Sequence, residues 1–372
     1  MEREIECTIP GGFLHLSVMR NICLLLLLAC LFNPIKNVAQ TPQYRIFLVG
    51  DAGDDEMTNQ TLDSLRSHLV RSPNSAVFFL GDNSYRNALW GLLPFGAKGF
   101  DSSLNTQNKV RAQLDILNTY KGSAYFVPGN HDWWNIMSIE RGKPKVKMEE
   151  SFIEKNLAKN TSIQNPDNTY IPKNGTPGPA CVELDKGKIK VISIDSYWLI
   201  LAGFKRNASK VADAENAFYH NLDSVLADAW SRKQKIMIVA HHPVYSKGFV
   251  MKPVYKLVPK RARQSVPDFP MYKRMSDKIN AILKKYPGSY YAAGHIHAMQ
   301  YFHTGYNLYY IISGAGSKLH HISKEDAAKS QTGNEKDGIF WNEKGFFELD
   351  FYEGAGEKLI IYYDEGKKKS AL

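Results

Sequence analysis

Ala124-Tyr125-Phe126-Val127-Pro128-Gly129-Asn130-His131-Asp132 joins a short apolar run to a turn carrying three polar side chains. An apolar run of this length, with no polar alternation, reads as a strand buried on both faces. The same arrangement recurs along the chain. Arg45–Val49 enters Gly50-Asp51, Ala76–Leu80 enters Gly81-Asp82, and Lys190–Ile194 enters Asp195-Ser196. Lys235–Ala240 enters His241-His242-Pro243, and Tyr290–Ala293 enters Gly294-His295-Ile296-His297. Helix-like stretches lie between, at about residues 55–70, 108–119, 145–158, 214–232 and 271–286. In the fourth, Ala217, Phe218, Leu222, Val225, Leu226 and Ala229 follow helical spacing. Strands alternating with helices predict a layered α/β fold. Residues 299–312 and 345–363 read as hairpins, the second turning at Glu353-Gly354-Ala355-Gly356-Glu357. A mixed rather than purely parallel sheet is therefore expected.

The polar residues fall where strands end, on the carboxyl edge of the sheet, which is where open α/β folds bind ligands. Taken singly, Gly-Asp after a strand is usually a turn or a helix cap. The set is more informative: Asp51, Asp82, Tyr85, Asn130, His241, His295 and His297. It offers oxygen and nitrogen donors and no sulfur, a combination suited to Fe, Mn or Zn. Seven ligands exceed what one tetrahedral ion takes. They suit two ions about 3.5–4 Å apart that share one carboxylate. Gly50, Gly81, Gly129 and Gly294 each precede a candidate ligand. They are expected to let the chain turn sharply, so that the next side chain converges on one point.

The order Asp51-Ala52-Gly53, Gly81-Asp82-Asn83-Ser84-Tyr85, Gly129-Asn130-His131-Asp132, a His before Pro243, and Gly294-His295-Ile296-His297 resembles the calcineurin-like metallophosphoesterase superfamily. Tyr85, three residues after the second Asp, narrows the resemblance to the small, tartrate-resistant type of purple acid phosphatase. Val244-Tyr245-Ser246 and Ser313-Gly314-Ala315-Gly316 extend it over about residues 44–318.

That resemblance implies a sandwich of two mixed β-sheets flanked by helices, with the active site at the carboxyl ends of strands. It implies a ferric site of Asp51, Asp82, Tyr85 and His297. It implies a divalent site (Fe, Zn or Mn) of Asp82, Asn130, His241 and His295, with Asp82 bridging. The family's ligand His lies two residues before Pro, which selects His241; His242 is left as a phosphate contact, a support behind the ligands, or a satisfied polar neighbour. His131 matches the His that binds phosphate and protonates the leaving group, and Asn130 joins it in catalysis. A second such His would fall at Val250; Lys247 or His242 could replace it, and Asn83 is a further candidate substrate contact. The implied reaction is hydrolysis of phosphate monoesters by attack of a metal-bound hydroxide, with no protein nucleophile. A phosphodiesterase or nucleotidase of the same superfamily is the alternative, against which Tyr85 argues. A scaffold that keeps the fold without catalysis is a third reading.

Composition bounds the rest. With 44% hydrophobic and 23% charged residues, the chain is that of a globular protein, not a disordered, collagenous or polytopic-membrane one. A net charge of +10 favours anionic partners. No nucleic-acid-binding module accompanies it, so phosphorylated small molecules are expected and nucleic acid is not. Protein partners are not legible.

Ile22–Phe32 is too short to span a membrane. Arg20 precedes it, Asn33-Pro34 ends it, and Val38-Ala39-Gln40 offers a cleavage site, so residues 1–39 read as a signal peptide. Met19 is an alternative start. Residues 40–372 then form one domain, exported to the periplasm or the medium. In a second reading Leu27-Leu28-Ala29-Cys30 is a lipoprotein box that anchors the chain through Cys30. Cleavage removes Cys7, Cys23 and Cys30 and leaves Cys181, so no internal disulfide is expected. Two segments invite a role around the substrate. Residues 244–267 carry Lys247, Lys252, Lys256, Lys260, Arg261 and Arg263 and no acid, as a phosphate-attracting loop or a solvated one. Residues 86–104, with Trp90, Leu92, Leu93, Phe95 and Phe100, read as a lid or as packing, and Trp133 and Trp134 pose the same choice.

Overall fold

Within the unit Pro42–Leu372 of the computed structural model, alternate residues of each central strand face two different layers. The structure describes residues 41–85, 100–133, 138–159, 162–247, 269–319, 337–341, 343–354, 356–363 and 367–370. Strands β1 (Tyr44–Val49), β2 (Ser75–Phe79) and β3 (Ser123–Phe126) run parallel. Antiparallel strands β11 (Gly345–Tyr352), β12 (Gly356–Tyr363) and β13 (Lys367–Ser370) extend this first sheet, in the order β13-β12-β11-β1-β2-β3. In the second sheet β5 (Ile189–Ser193), β6 (Lys235–Val239), β7 (Tyr290–Ala293) and β9 (Tyr309–Ser313) are parallel. Its other strands, β4 (Ala180–Leu184), β8 (Met299–His303) and β10 (Asp337–Trp341), pair antiparallel. The order is β10-β8-β9-β7-β6-β5-β4. Both sheets are mixed, as the hairpin signals imply.

Ile46, Leu48 and Phe78 of the first sheet share one buried cluster with Val191, Val239 and Ile311 of the second. Their neighbours Phe47, Val49, Val77 and Phe79 turn the other way, onto helical Leu62, Leu65 and Val110. Ile192 and Ile238 belong to the same helix-facing cluster as Leu222, Leu226 and Ile279. The period of two along each strand thus builds a helix–sheet–sheet–helix sandwich.

The helices begin where side chains can cap them. Helix α1 (Gln60–Val70) starts later than residue 55 because the Asn59 side chain accepts the Leu62 N–H at 2.9 Å. Helix α2 (Leu104–Asp115) starts behind Ser103, four residues ahead of the expected range. The four-residue α3 (Asn130–Trp133) opens at the Gly129 turn. Helix α4 (Ile139–Leu157) is capped by Ser138 and runs through Pro144, which reads in the sequence as a break. Helix α5 (Ser196–Ala202) is not expected from periodicity because every one of its residues is buried; Asp195 caps it, accepting the Trp198 N–H at 2.9 Å. Helix α6 (Lys205–Ser231) is longer at its start than the pattern around Ala217 suggests, and α7 (Pro270–Leu283) lies close to the expected range.

Several sequence readings lie outside the described residues: the segment through Gln40 with its cleavage site and Cys30, residues 86–99, Trp134, and residues 248–267 with Val250 and most of the basic side chains. Among the described residues, no helix is long and apolar enough to cross a membrane, and Cys181 carries a free, exposed thiol.

Candidate metal centre

The two sheets meet at the carboxyl ends of their parallel strands. Gly50 N–H donates to Ser313 O across the sheets at 2.7 Å, and Gly294 N–H donates to His241 O at 3.0 Å. β1 delivers Asp51, β2 delivers Asp82 and Tyr85, and β3 delivers Asn130 and His131. β6 and β7 deliver His241, His295 and His297. Asp51, Asp82 and His295 themselves sit in the left-handed region, at φ 57°, 54° and 68°. Such backbone is rare outside glycine and costs about 1 kcal/mol or more per residue.

Of the four glycines expected to turn the chain, only Gly81 has a positive φ, 85°. Gly129 and Gly294 are required for another reason, close approach. A Cβ on Gly129 would stand 2.2 Å from the Asp82 nitrogen, and one on Gly294 would stand 2.5 Å from Asp51 Oδ2. The convergence comes from strained Asp51, Asp82 and His295 packed against bare backbone.

The side chains fall into two groups. Tyr85 Oη lies 2.5 Å from Asp51 Oδ1 and 2.9 Å from His297 Nε2, and that nitrogen lies 3.2 Å from the same Asp51 oxygen. In the second group His241 Nε2 lies 3.1 Å from Asn130 Oδ1, 3.3 Å from Asp82 Oδ1 and 3.3 Å from His295 Nδ1. His241 Nδ1 faces the Leu80 carbonyl at 2.9 Å and must donate to it, which directs Nε2 to the centre. Atoms of Asp51, Asp82 and His241 lie within 4.8 Å of one another, so the two groups adjoin, and Asp82 meets both His241 and the Tyr85 phenol. His131 stands beside them: its backbone N–H donates to Asp82 Oδ1 at 2.8 Å, and its Nε2 is 3.9 Å from Asp82 Oδ2. Its ring is a third exposed and tilts against Tyr85 at 4.5 Å.

Electrostatics fit a cation at both places. Burial alone would raise Asp82, but the His241 and His131 imidazoles outweigh it and hold its carboxyl well below the usual range. Burial would lower His241, but Asp82 outweighs it and raises the ring to about 9. Positive charge at this point, from a proton or a metal ion, would reconcile the lone pairs of Asn130, Asp82 and His295 that face His241 Nε2. Tyr85 is pushed well above its ordinary value, by burial first and then by the charges of Asp51 and Asp82. Its proton likewise marks a place for positive charge. Buried oxygens and imidazole nitrogens converging on two points are a donor set for two borderline ions.

The candidate substrate contacts are placed differently from one another. Asn83 is buried, and its amide donates to Val127 O at 3.1 Å and to Asp132 Oδ2 at 3.2 Å, so it braces two loops. Lys247 is at the end of the described β6 loop, its backbone exchanging hydrogen bonds with the Gln300 side chain. His242 is buried behind His241, with Nδ1 2.9 Å from Ser196 Oγ. Trp133 is buried and donates Nε1–H to Asp195 Oδ2 at 2.6 Å, so it packs beneath the site.

Sequence reading missed the supports. Asp132 accepts the backbone N–H groups of Gly129 at 2.7 Å, Asn83 at 3.3 Å and Ser84 at 3.2 Å, tying the β2 and β3 loops together. Burial and the Asp82 charge raise its carboxyl to about 8. Lys109 and Gln113, one turn apart on α2, donate to the carbonyls of Tyr85 and Asn83, each at 2.7 Å. Ser317 Oγ bonds Asp51 O, and its own backbone N–H donates to the same oxygen at 3.1 Å. Lys318 lies with Nζ 3.4 Å from the Tyr85 ring centroid and 3.2 Å from Asp54 Oδ1. Lys109 and Gln113 have a visible signal, a polar pair on the stripe of α2 that also carries Val110 and Leu114; the others have none.

The family model described as calcineurin-like phosphoesterase matches residues 44–299, more than half of the chain. No curated protein matches it. Among solved structures, the anchor in the inner membrane complex of Plasmodium is similar, with 15% identity and a TM-score of 0.54 over 89% of each chain. A dimetal phosphatase from Danio rerio has 13% identity and a TM-score of 0.49, over 89% of this chain and 99% of that one. At 15% identity the first of these likenesses is one of fold.

Proposed function

We propose, since the chain belongs to the calcineurin-like phosphoesterase family and so to hydrolases of phosphate esters, that it is an exported acid phosphatase acting on phosphate monoesters at a dinuclear centre. Asp51, Asp82, Tyr85 and His297 would hold Fe(III), and Asp82, Asn130, His241 and His295 would hold a divalent Fe, Zn or Mn. The observation that carries this reading is the Tyr85 phenol between Asp51 Oδ1 and His297 Nε2, at 2.5 and 2.9 Å. A phenolate among such ligands suits a ferric ion better than any divalent one.

When bound, the two cations supply Lewis acidity and bring the pKa of water toward neutrality. The protein's own residues do the rest. Asp132, Lys109, Gln113 and Ser317 tie down the loops that carry the candidate ligands. His131, partly exposed beside Asp82, reaches the phosphoryl oxygens, and because burial lowers its ring to about 4 it gives a proton to the leaving alcohol chiefly in acid. Asn130 stabilises the charge that spreads over the equatorial oxygens. Lys318, over the Tyr85 ring, draws the phosphate dianion in.

Purified protein should contain two metal ions, show a visible absorption band, and hydrolyse p-nitrophenyl phosphate faster than bis(p-nitrophenyl) phosphate. Preference for the bis-ester would favour the phosphodiesterase reading. Two bound ions with no hydrolysis of either would favour a scaffold. Export rests on the apolar run Ile22–Phe32 and the small residues before Gln40. A mature N-terminus at Gln40 supports it, and one at a lipid-modified Cys30 supports anchoring.

A further inference from the structure

His242 lies between the ligand His241 and Pro243, and its ring is fully buried. Ser196 Oγ lies 2.9 Å from both its Nδ1 and its backbone nitrogen. The serine oxygen accepts the backbone N–H and has a second lone pair for an Nδ1–H, the tautomer that leaves a bare lone pair on Nε2. That Nε2 is buried and has no hydrogen-bond partner. The aromatic neighbours do not serve it: Tyr272 gives its hydroxyl to Pro243 O at 2.6 Å, and Tyr291 gives its own to His242 O at 2.9 Å.

Two other imidazoles surround the same space. Ring centroids lie 4.3 Å apart for His242–His295, 4.8 Å for His241–His242 and 5.1 Å for His241–His295. Each ring brings a nitrogen within 4.8 Å of those of the other two. His241 Nε2 and His295 Nδ1 stand 3.3 Å apart, the spacing of two imidazoles on one ion with metal–nitrogen bonds of about 2.0–2.1 Å, and the His242 ring closes the triangle beside them. In both His241 and His242 the Nδ1 atom is engaged by a protein oxygen, which turns Nε2 away from it.

We propose that His242 is a third imidazole ligand of the divalent site, binding through Nε2 beside His241 and His295. The inference rests on the two-metal reading and adds to it a nitrogen-rich second site. Such a site selects Zn, Fe(II) or Co(II) over Mg or Ca.

The test uses the full-length mature protein stripped of metal and reloaded with Co(II). A paramagnetic Co(II) ion shifts the exchangeable ring N–H proton of each ligating imidazole far outside the ordinary NMR window. Four such signals are expected, from His241, His242, His295 and His297. His242→Gln should lose one and release its second ion at least tenfold more readily on titration with a chelator. Ser196→Ala, which leaves the ring in place, should keep four signals, one of them exchanging faster with solvent. Three signals in the wild type with two ions bound would overturn the inference and leave the two-metal reading intact. Fewer than two ions in the wild type would overturn the two-metal reading and this inference with it.

Discussion

The phenolic oxygen of Tyr85 stands 2.5 Å from Oδ1 of Asp51, a residue 34 positions earlier in the chain. A phenol and a carboxylate come this close only with positive charge between them, a proton or a cation. Tyr85→Phe removes the donor and leaves Asp51, Asp82 and His297. The visible band should vanish from the absorption spectrum while part of the phosphatase activity persists. A band that survives would assign the phenolate to another tyrosine.

Asp82 is the carboxylate that faces both groups: Oδ1 lies 3.3 Å from His241 Nε2 of the second, and the side chain also meets the Tyr85 phenol of the first. Asp82→Ala should lower metal content more than any other single ligand change, measured by elemental analysis after dialysis. Equal loss in Asp51→Ala would count against a bridge.

His131 touches Asp82 through its backbone N–H, at 2.8 Å, and so holds the loop whatever its side chain does. His131→Ala is therefore expected to keep both ions. Its turnover should fall by about 10²–10⁴, the usual contribution of a positioned acid or base. The fall should be smallest for p-nitrophenol as leaving group, which needs least protonation. Metal loss in this variant would reassign the residue as a ligand.

Away from the centre, Arg45 Nε is shared by Glu348 at 3.0 Å and Asp350 at 3.3 Å. His68 Nδ1 lies 3.8 Å from the other Glu348 oxygen. Burial first, and then hydrogen bonding and repulsion from Asp350, raise Glu348 to about 8, with Arg45 opposing. The folded protein thus keeps a proton that the unfolded chain releases near pH 4.5. Stability should fall as pH rises from about 4.5 to 8, by at most about 1.4 kcal/mol per pH unit from this group. Glu348→Gln should flatten that slope in thermal melts and raise Tm at pH 8 relative to wild type. An unchanged slope would sink the assignment.

The strand-end residues were legible because each rests on a local signal, an apolar run that stops at a polar turn. The layered α/β fold and its mixed pairing followed from the same runs and from the Glu353–Glu357 turn, and the sandwich of two sheets from the family resemblance. Helix α5 was not legible, because burial on all sides of Tyr197–Ala202 erases the helical period that exposes a polar face. The start of α4 was hidden by Pro144, which local propensity counts as a stop. Asp132 escaped notice because its partners are backbone N–H groups up to 49 residues away, and a backbone group has no residue-type signature. Of the preceding glycines, Gly81 turns the chain as expected, whereas Gly129 and Gly294 serve close approach instead. What a sequence cannot display is the neighbour that a Cβ would strike.

Left-handed backbone at Asp51, Asp82 and His295 has a consequence for descent. Asp, Asn and His tolerate this conformation better than other side chains do, and glycine tolerates it without strain. Asp51→Asn or His295→Gly would weaken the donor set while leaving the loop as comfortable as before, or more so. Inheritance therefore has an easy exit from chemistry. A lineage released from selection on hydrolysis can lose activity in one step and become a sturdier fold, so silent members of such a lineage should be found by their asparagines and glycines at these three positions rather than by eroded cores.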